Sequence, residues 1–193
     1  MSDDSALVKR MQENNMEAFE EMVLLYQKKV YSLALHLTHN PSDAEDITQE
    51  VFLRVFNKIN TFLGKSAFSS WLYRISLNVS YMKLKKQKKQ RLSFDNLLPK
   101  YQDNGFHWGT VNDWSKKTDD SLLSNELKAL ILKAISQLPA KEKTVFVLRD
   151  IEGLSTEKVC EILEISVPAV KSRLHRSRLF LRKRLSAYFD GAK

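Results

Sequence analysis

The sequence predicts an all-α fold of two small helical domains joined by an extended linker, and three observations carry that reading. Apolar residues recur at helical spacing through residues 1–92, a stretch holding one glycine, Gly64, and one proline, Pro41. The spacing fails over residues 93–120, where Pro99, Gly105 and Gly109 break it and the acids Asp95, Asp103, Asp113, Asp119 and Asp120 outnumber the lysines. It returns over residues 121–193 and includes two short helices about a tight turn, the second of them basic. The expected organisation is therefore a domain at 1–92, a linker at 93–120 and a second domain at 121–193.

Each element has its own signal. Residues 16–38 read as one long helix with Phe19, Val23, Tyr26, Val30, Leu33 and Leu37 inward, ended by Asn40-Pro41. Ser42, followed three residues later by Glu45, carries a capping-box signature for the next helix. The buried side of that helix is Ile47, Val51, Phe52, Val55 and Ile59. Residues 60–68 form a loop, and Ser69 opens a helix carrying Trp71, Leu72, Ile75 and Val79. Beyond the linker, residues 126–138 make a helix stopped by Pro139, and residues 141–150 make another. Ser155 caps the next, with Glu157 in its first turn and Val159, Ile162 and Leu163 as its apolar face. After a break at Glu164-Ile165, Ser166 caps the last helix, whose first turn holds Pro168. No helix this amphipathic is stable alone, so these faces need one another.

Composition narrows the function. Hydrophobic residues make up 43% of the chain, enough for a packed core, and the net charge of +8 suits a polyanion such as a nucleic acid or a membrane surface. Cys160 is the only cysteine, which excludes an internal disulfide, and it reads as a small core or boundary residue. Neither a signal-peptide run nor an 18-residue apolar stretch occurs, so a soluble, intracellular protein without direct membrane insertion is expected. His36 and His39 lie three apart but have no further His or Cys nearby; they read as helix-end residues, and no metal or cofactor is expected. There is no phosphate-cradling glycine loop, nucleophile elbow or paired acid–base constellation, which argues against an enzyme.

Three segments hold the remaining chemistry. On the last helix, Val167, Val170 and Leu174 share one side, while Ala169, Ser172 and Arg176 fall opposite, flanked by Lys171, Arg173 and His175. A helix anchored by one apolar stripe, with small, hydroxyl and cationic side chains outward, suits a DNA major groove. Residues 42–56 form an acidic helix with Asp43, Asp46, Gln49 and Glu50 on its exposed side, either a well-capped surface helix or a docking face. Residues 62–91 interleave Phe62, Phe68, Trp71, Tyr73 and Tyr81 with Lys65, Arg74, Lys83, Lys85, Lys86, Lys88, Lys89 and Arg91. Cations that track phosphates beside sites for an unstacked base are what single-stranded DNA binding requires. Phe68 and Trp71 themselves read as core residues, because Trp71 shares a helical face with Ile75.

The run Val170-Lys171-Ser172-Arg173-Leu174 followed by Arg176-Ser177-Arg178 resembles the recognition helix in region four of bacterial sigma factors, above all the extracytoplasmic-function (ECF) group of the sigma-70 family. Residues 42–56 and 62–91 are similar to parts of sigma region two. The likeness covers essentially the whole chain, with no region-three domain between. It implies an alternative sigma factor, not itself an enzyme, that binds RNA polymerase core and directs promoter-specific initiation. By this resemblance Ser166, Pro168, Ala169, Lys171, Ser172, Arg173, His175, Arg176 and Arg178 would face the −35 element. Phe62, Gly64, Lys65, Ser66, Ala67, Arg74, Asn78 and Lys83 would serve the −10 element, with the loop from Thr61 to Ala67 holding a flipped base. Asp43, Asp46, Gln49 and Glu50 would grip the polymerase.

The implied partners are the polymerase core, through the largest-subunit clamp and the flap, promoter DNA, and an anti-sigma factor. The implied location is the bacterial cytoplasm, with tethering at the membrane if such a factor resides there. Two departures from the family stand out. Glu164 replaces the usual glycine at the helix turn, where a left-handed backbone costs about 1 kcal/mol more for Glu than for Gly. Beyond Asn78, Tyr81, Lys83, Lys85 and Lys86 stand where the family often has an Asp and an Arg pair. Two other readings remain open at this level: a stand-alone helix-turn-helix activator, and a sigma mimic that sequesters an anti-sigma factor.

Overall fold

A computed structural model describes residues 4–95 and 121–190 of the protein. Among the described residues there are helices and turns but no strand, in keeping with the all-α expectation. The order is α1 (Asp4–Gln12), α2 (Met16–Thr38), α3 (Pro41–Lys58), a 3-10 turn (Ile59–Thr61), α4 (Phe68–Asp95), α5 (Ser121–Ser136), α6 (Ala140–Phe146) running into a π turn (Val147–Ile151), α7 (Thr156–Leu163) and α8 (Val167–Asp190). Most of the expected linker, residues 96–120, lies outside the described residues.

The N-terminal bundle is built from α1 to α4. Its core joins Met11, Phe19, Met22, Tyr26 and Val30 to Ala44, Ile47, Val51, Val55 and Ile59, and to Phe68, Leu72 and Val79 from α4. Helix α1 was not anticipated from the sequence; Leu7, Val8 and Met11 are its buried face. The boundary between α2 and α3 also differs from expectation. His39 ends α2 in the left-handed conformation with its N–H on the Leu35 carbonyl. Asn40, not Ser42, is the N-cap of α3: its side chain accepts from the Asp43 N–H at 3.1 Å, and Pro41 then occupies the first turn. An asparagine before proline is the stronger cap, because Pro41 has no N–H to leave unsatisfied.

In the C-terminal unit, α6 packs on α8, and α5 packs on α8 through a small cluster of Ala134, Ile135, Leu138 and Leu181, against which Phe146 of α6 also lies. Ser155 caps α7 as expected, accepting from the Lys158 N–H at 3.1 Å. Glu164 takes a left-handed conformation (φ 53°) at the turn before α8. Ser177, buried on α8, donates to the Arg173 carbonyl at 2.8 Å and lies 3.1 Å from the Glu142 carbonyl, tying α8 to α6.

The two halves share a core. Leu33 and Leu37 of α2 and Tyr73 and Leu77 of α4 pack in one cluster with Val145, Val147, Leu148, Val159, Ile162 and Val170. Leu148 is fully buried there. Leu148→Ala is therefore expected to cost about 2–5 kcal/mol, the usual range for such a deletion in a packed core. Because that cluster links both halves, urea denaturation should show the loss in probes of each half together.

Candidate DNA and polymerase interfaces

Helix α8 presents the face that its periodicity predicts. Val170 is fully buried and Leu174 partly so, while Lys171, Ser172, His175 and Arg176 are exposed and Ala169 and Arg173 lie between the two faces. Ser166 and Pro168 are exposed at its start. Val167, expected on the anchoring side, is itself 38% exposed. Two of the cations have intramolecular partners. The Arg176 guanidinium donates through Nε and Nη2 to Glu142 at 3.2 and 3.1 Å and through Nη1 to the Ser172 hydroxyl at 3.0 Å. Arg178 forks onto Asp150, at 2.9 and 2.7 Å, which raises its already high pKa. That bidentate pair ties α8 to the π turn after α6. Both arginines remain exposed beside Lys171, Ser172 and His175.

The loop between α3 and α4 brings part of the expected −10 set together. Phe62, Gly64, Ser66 and Ala67 line a cleft of about 630 Å³ with Asp4, Ser5, Val8, Lys9 and Gln12 of α1. Gly64 sits at φ +68° with open space around it, a conformation most other residues adopt only under strain. Gln12 holds the loop in shape, its Nε2 donating to the Ile59 and Phe62 carbonyls at 3.1 and 3.0 Å. Phe62, Phe68 and Trp71 form an aromatic cluster with ring centroids 5.2–5.9 Å apart, and Phe68 is buried, as a core residue should be. Lys65 is exposed on the loop, and Asn78 is exposed on α4.

Two other members of that set point elsewhere. Lys83 donates to Asp46 of α3 at 2.8 Å and lies 3.4 Å from Asp43; the hydrogen bond to Asp46 raises its pKa. Arg74 reaches α7, its Nη1 2.6 Å from the Glu164 carboxylate. The contribution of α1 to the cleft was not foreseen. The signal was available in Leu7, Val8 and Met11, an i, i+1, i+4 apolar set preceding the asparagine pair at Asn14-Asn15.

On α3, Asp46 and Gln49 are exposed and Glu50 is partly so, held by Arg54 at 2.6 Å. Asp43 is drawn inward instead: the Gln87 amide donates to both its oxygens, at 2.9 and 2.8 Å, leaving it 14% exposed. It braces α4 rather than offering an open carboxylate. Beside Gln49 lies an apolar groove of about 780 Å³ between α2 and α3, lined by Met16, Phe19, Leu24, Phe52, Leu53 and Phe56. Leu24 is 70% and Leu53 59% exposed. Charge patterning alone had found only the acidic half of this face. Leu53 and Phe56 were the missed signal, apolar residues beyond the single stripe that α3 needs for its own core.

Among the described residues no group of three or more His, Cys, Asp or Glu could hold a metal ion, and no helix is long and apolar enough to cross a membrane. His36 is occupied by the Ser32 carbonyl at 2.7 Å. Burial, followed by the charges of Lys143 and His36, lowers the His39 pKa to about 4.

The helical bundle thus presents an acidic face, an aromatic-basic face and an exposed basic helix face, and comparison with known proteins gives the class. Residues 22–90 match the model of sigma-70 region 2 and residues 128–181 that of sigma-70 region 4. An ECF RNA polymerase sigma-E factor of Haemophilus influenzae is 34% identical over 94% of this chain and 95% of its own. The ECF sigma factor SigW of Bacillus subtilis is 36% identical over 92% and 94%. A solved structure of the Bartonella quintana sigma factor RpoE with the anti-sigma factor NepR shares the fold, with a TM-score of 0.66 and 23% identity over 87% of this chain and 96% of that one. The chain belongs to the ECF group of the sigma-70 family, and it is an alternative sigma factor that directs promoter-specific transcription.

Proposed function

We propose that the three faces divide the work of initiation. The acidic edge of α3 and the apolar groove beside it dock on RNA polymerase core. The cleft under the 60–68 loop receives an unstacked base of the −10 element, with Lys65, Asn78 and the basic turns of α4 along the strand. The outer face of α8 enters the major groove of the −35 element. The observation that carries this reading is the exposure of Lys171, Ser172, His175 and Arg176 on a helix whose opposite side is pinned by Val170, Ser177 and Leu181. A helix held in that way can present side chains to base edges without rearranging its own packing. The chain supplies specificity, and the polymerase supplies the chemistry.

An anti-sigma factor is the fitting regulator, since the Bartonella quintana relative was solved with one. If that partner sits in a membrane, it would hold this chain there from the cytoplasmic side. The test is reconstitution with core polymerase. The pair should co-elute and yield transcripts from defined starts on a promoter library. Duplex binding without co-elution would instead mark a stand-alone activator. Capture of an anti-sigma factor without any transcript would mark a mimic.

A further inference from the structure

Helix α1 is fixed in place beside the 60–68 loop. Leu7, Val8 and Met11 are buried in the N-terminal core, and Arg10 donates to Glu21 of α2 at 2.9 Å. The Tyr26 hydroxyl donates to the Asp4 carboxylate at 3.0 Å. Burial, followed by the Asp4 charge, raises the Tyr26 pKa, so the hydroxyl stays a donor. At the other end of α1, the Gln12 Nε2 donates to the Ile59 and Phe62 carbonyls, 47 and 50 residues away. Those two carbonyls settle which way round the amide lies, because only its NH2 group can donate to them. The Gln12 Oε1 is thereby held as an acceptor, and it has no hydrogen-bond partner among the described residues. Asp4 and Gln12 both line the cleft.

We propose that α1 is the base-selecting wall of the −10 site, with Gln12 as a specificity-determining residue that favours an unstacked base carrying an exocyclic amine over thymine. This rests on the cleft under the loop being the −10 site. Phe62, Leu63 and Val8 give the cleft apolar surface for the faces of a base, while Asp4 and Gln12 offer its edge two acceptors. Adenine, cytosine and guanine each carry an amine that can donate to them. Thymine brings carbonyl oxygens instead, with a single N–H between them, so acceptor meets acceptor and polar groups are left unpaired. The same wall sorts base from backbone. Asp4 repels a phosphate, whereas Lys9 of the cleft and Lys65 of the loop are exposed cations that draw the phosphates outward.

Gln12→Lys separates holding the loop from choosing the base. An ammonium can donate to the same two carbonyls but accepts nothing, whereas Gln12→Met neither donates nor accepts. Asp4→Asn keeps an acceptor for Tyr26 and adds a donor on the wall. Each full-length variant is assembled with core polymerase and transcribes a promoter library randomised across both elements, with thermal melts alongside. Wild type should disfavour thymine at one −10 position about tenfold, as expected for one hydrogen bond to a fixed or charged acceptor. Gln12→Lys and Asp4→Asn should each bring thymine there to within about threefold of the other bases, leaving the −35 preference intact. Gln12→Met should blur that position for every base. Leu63→Asp, at the exposed tip of the loop, reports on the loop itself and should also alter −10 preference. No bias against thymine at any −10 position in wild type would overturn the inference. So would variants of Gln12 and Asp4 that keep the wild-type preference, or that lower every promoter equally as a merely structural role would. In those cases a shift with Leu63→Asp keeps the loop as the −10 site, and its absence removes that reading as well.

Discussion

Leu53→Glu should sharply weaken capture by RNA polymerase core and leave the free protein as stable as before. Leu53 is 59% exposed in the groove between α2 and α3, beside Gln49 and Phe56. In the free protein its substitution removes little buried surface, and exposed positions of this kind usually change stability by no more than about 0.5 kcal/mol. In a docked complex the same position would be desolvated. An unpaired carboxylate at the centre of an interface costs far more than a lost methyl, and central apolar anchors are where about 2 kcal/mol or more is concentrated. Binding should therefore weaken by roughly thirtyfold or more. Asp46→Lys should act differently, through the rim: it slows association and lessens the fall of the on-rate with salt, because exposed charges steer more than they hold. It also releases Lys83, whose ion pair with Asp46 is exposed and contributes little to folding. Surface plasmon resonance with immobilised core polymerase, beside thermal melts, reads all of this. Full-strength binding by a folded Leu53→Glu protein would place the polymerase elsewhere on the molecule.

The sequence was most legible where one helix face meets one core. Phe19, Tyr26 and Val30, then Ile47, Val51 and Val55, are buried as their spacing requires. It was least legible where one helix serves two cores. Helix α4 buries Leu72 and Val79 in the N-terminal bundle, but Tyr73 and Leu77 against the C-terminal half. A single apolar stripe accounts for only the first set. The second was visible as Tyr73, Leu77 and Tyr81 at successive i, i+4 positions, yet those residues could equally be an aromatic surface for DNA. Leu33 and Leu37 of α2 behave alike, inward as expected but toward the other half. Long-range pairing of this kind follows from which acid finds which donor, as with Glu161 and Ala67, ninety-four residues apart. No local pattern carries that information. The turn at Glu164 is the opposite case: the sequence marked it as strained, and the Arg74 contact supplies a physical use for a side chain there.

Arg176→Ala is expected to lower −35-dependent transcription and blur preference at one or two base pairs, whereas Lys183→Ala should weaken every promoter slightly. Arg176 lies on the outward face of α8, with its guanidinium plane set by Glu142 and Ser172. That bracing fixes the direction of the fork before DNA arrives, so less rotamer freedom is lost on binding. A bidentate contact to a base edge is worth about 1–3 kcal/mol of discrimination, and its loss falls on the bases it touches. Lys183 is exposed two turns further on, beyond the residues placed against base edges. In the proposed orientation a cation there would meet phosphate, and such contacts position the duplex without reading it. Its removal should reduce the slope of log affinity against log salt by about one and leave sequence preference intact. Glu142→Gln separates bracing from charge. It keeps an acceptor for Arg176 but frees one positive charge, so it should tighten binding to all duplexes without shifting preference. Selection of −35 sequences from a randomised library, repeated at two salt concentrations, distinguishes these outcomes. Equal losses across every sequence for both Arg176→Ala and Lys183→Ala would mean that this face of α8 contacts only the backbone, and the proposed orientation of the helix in the groove would be wrong.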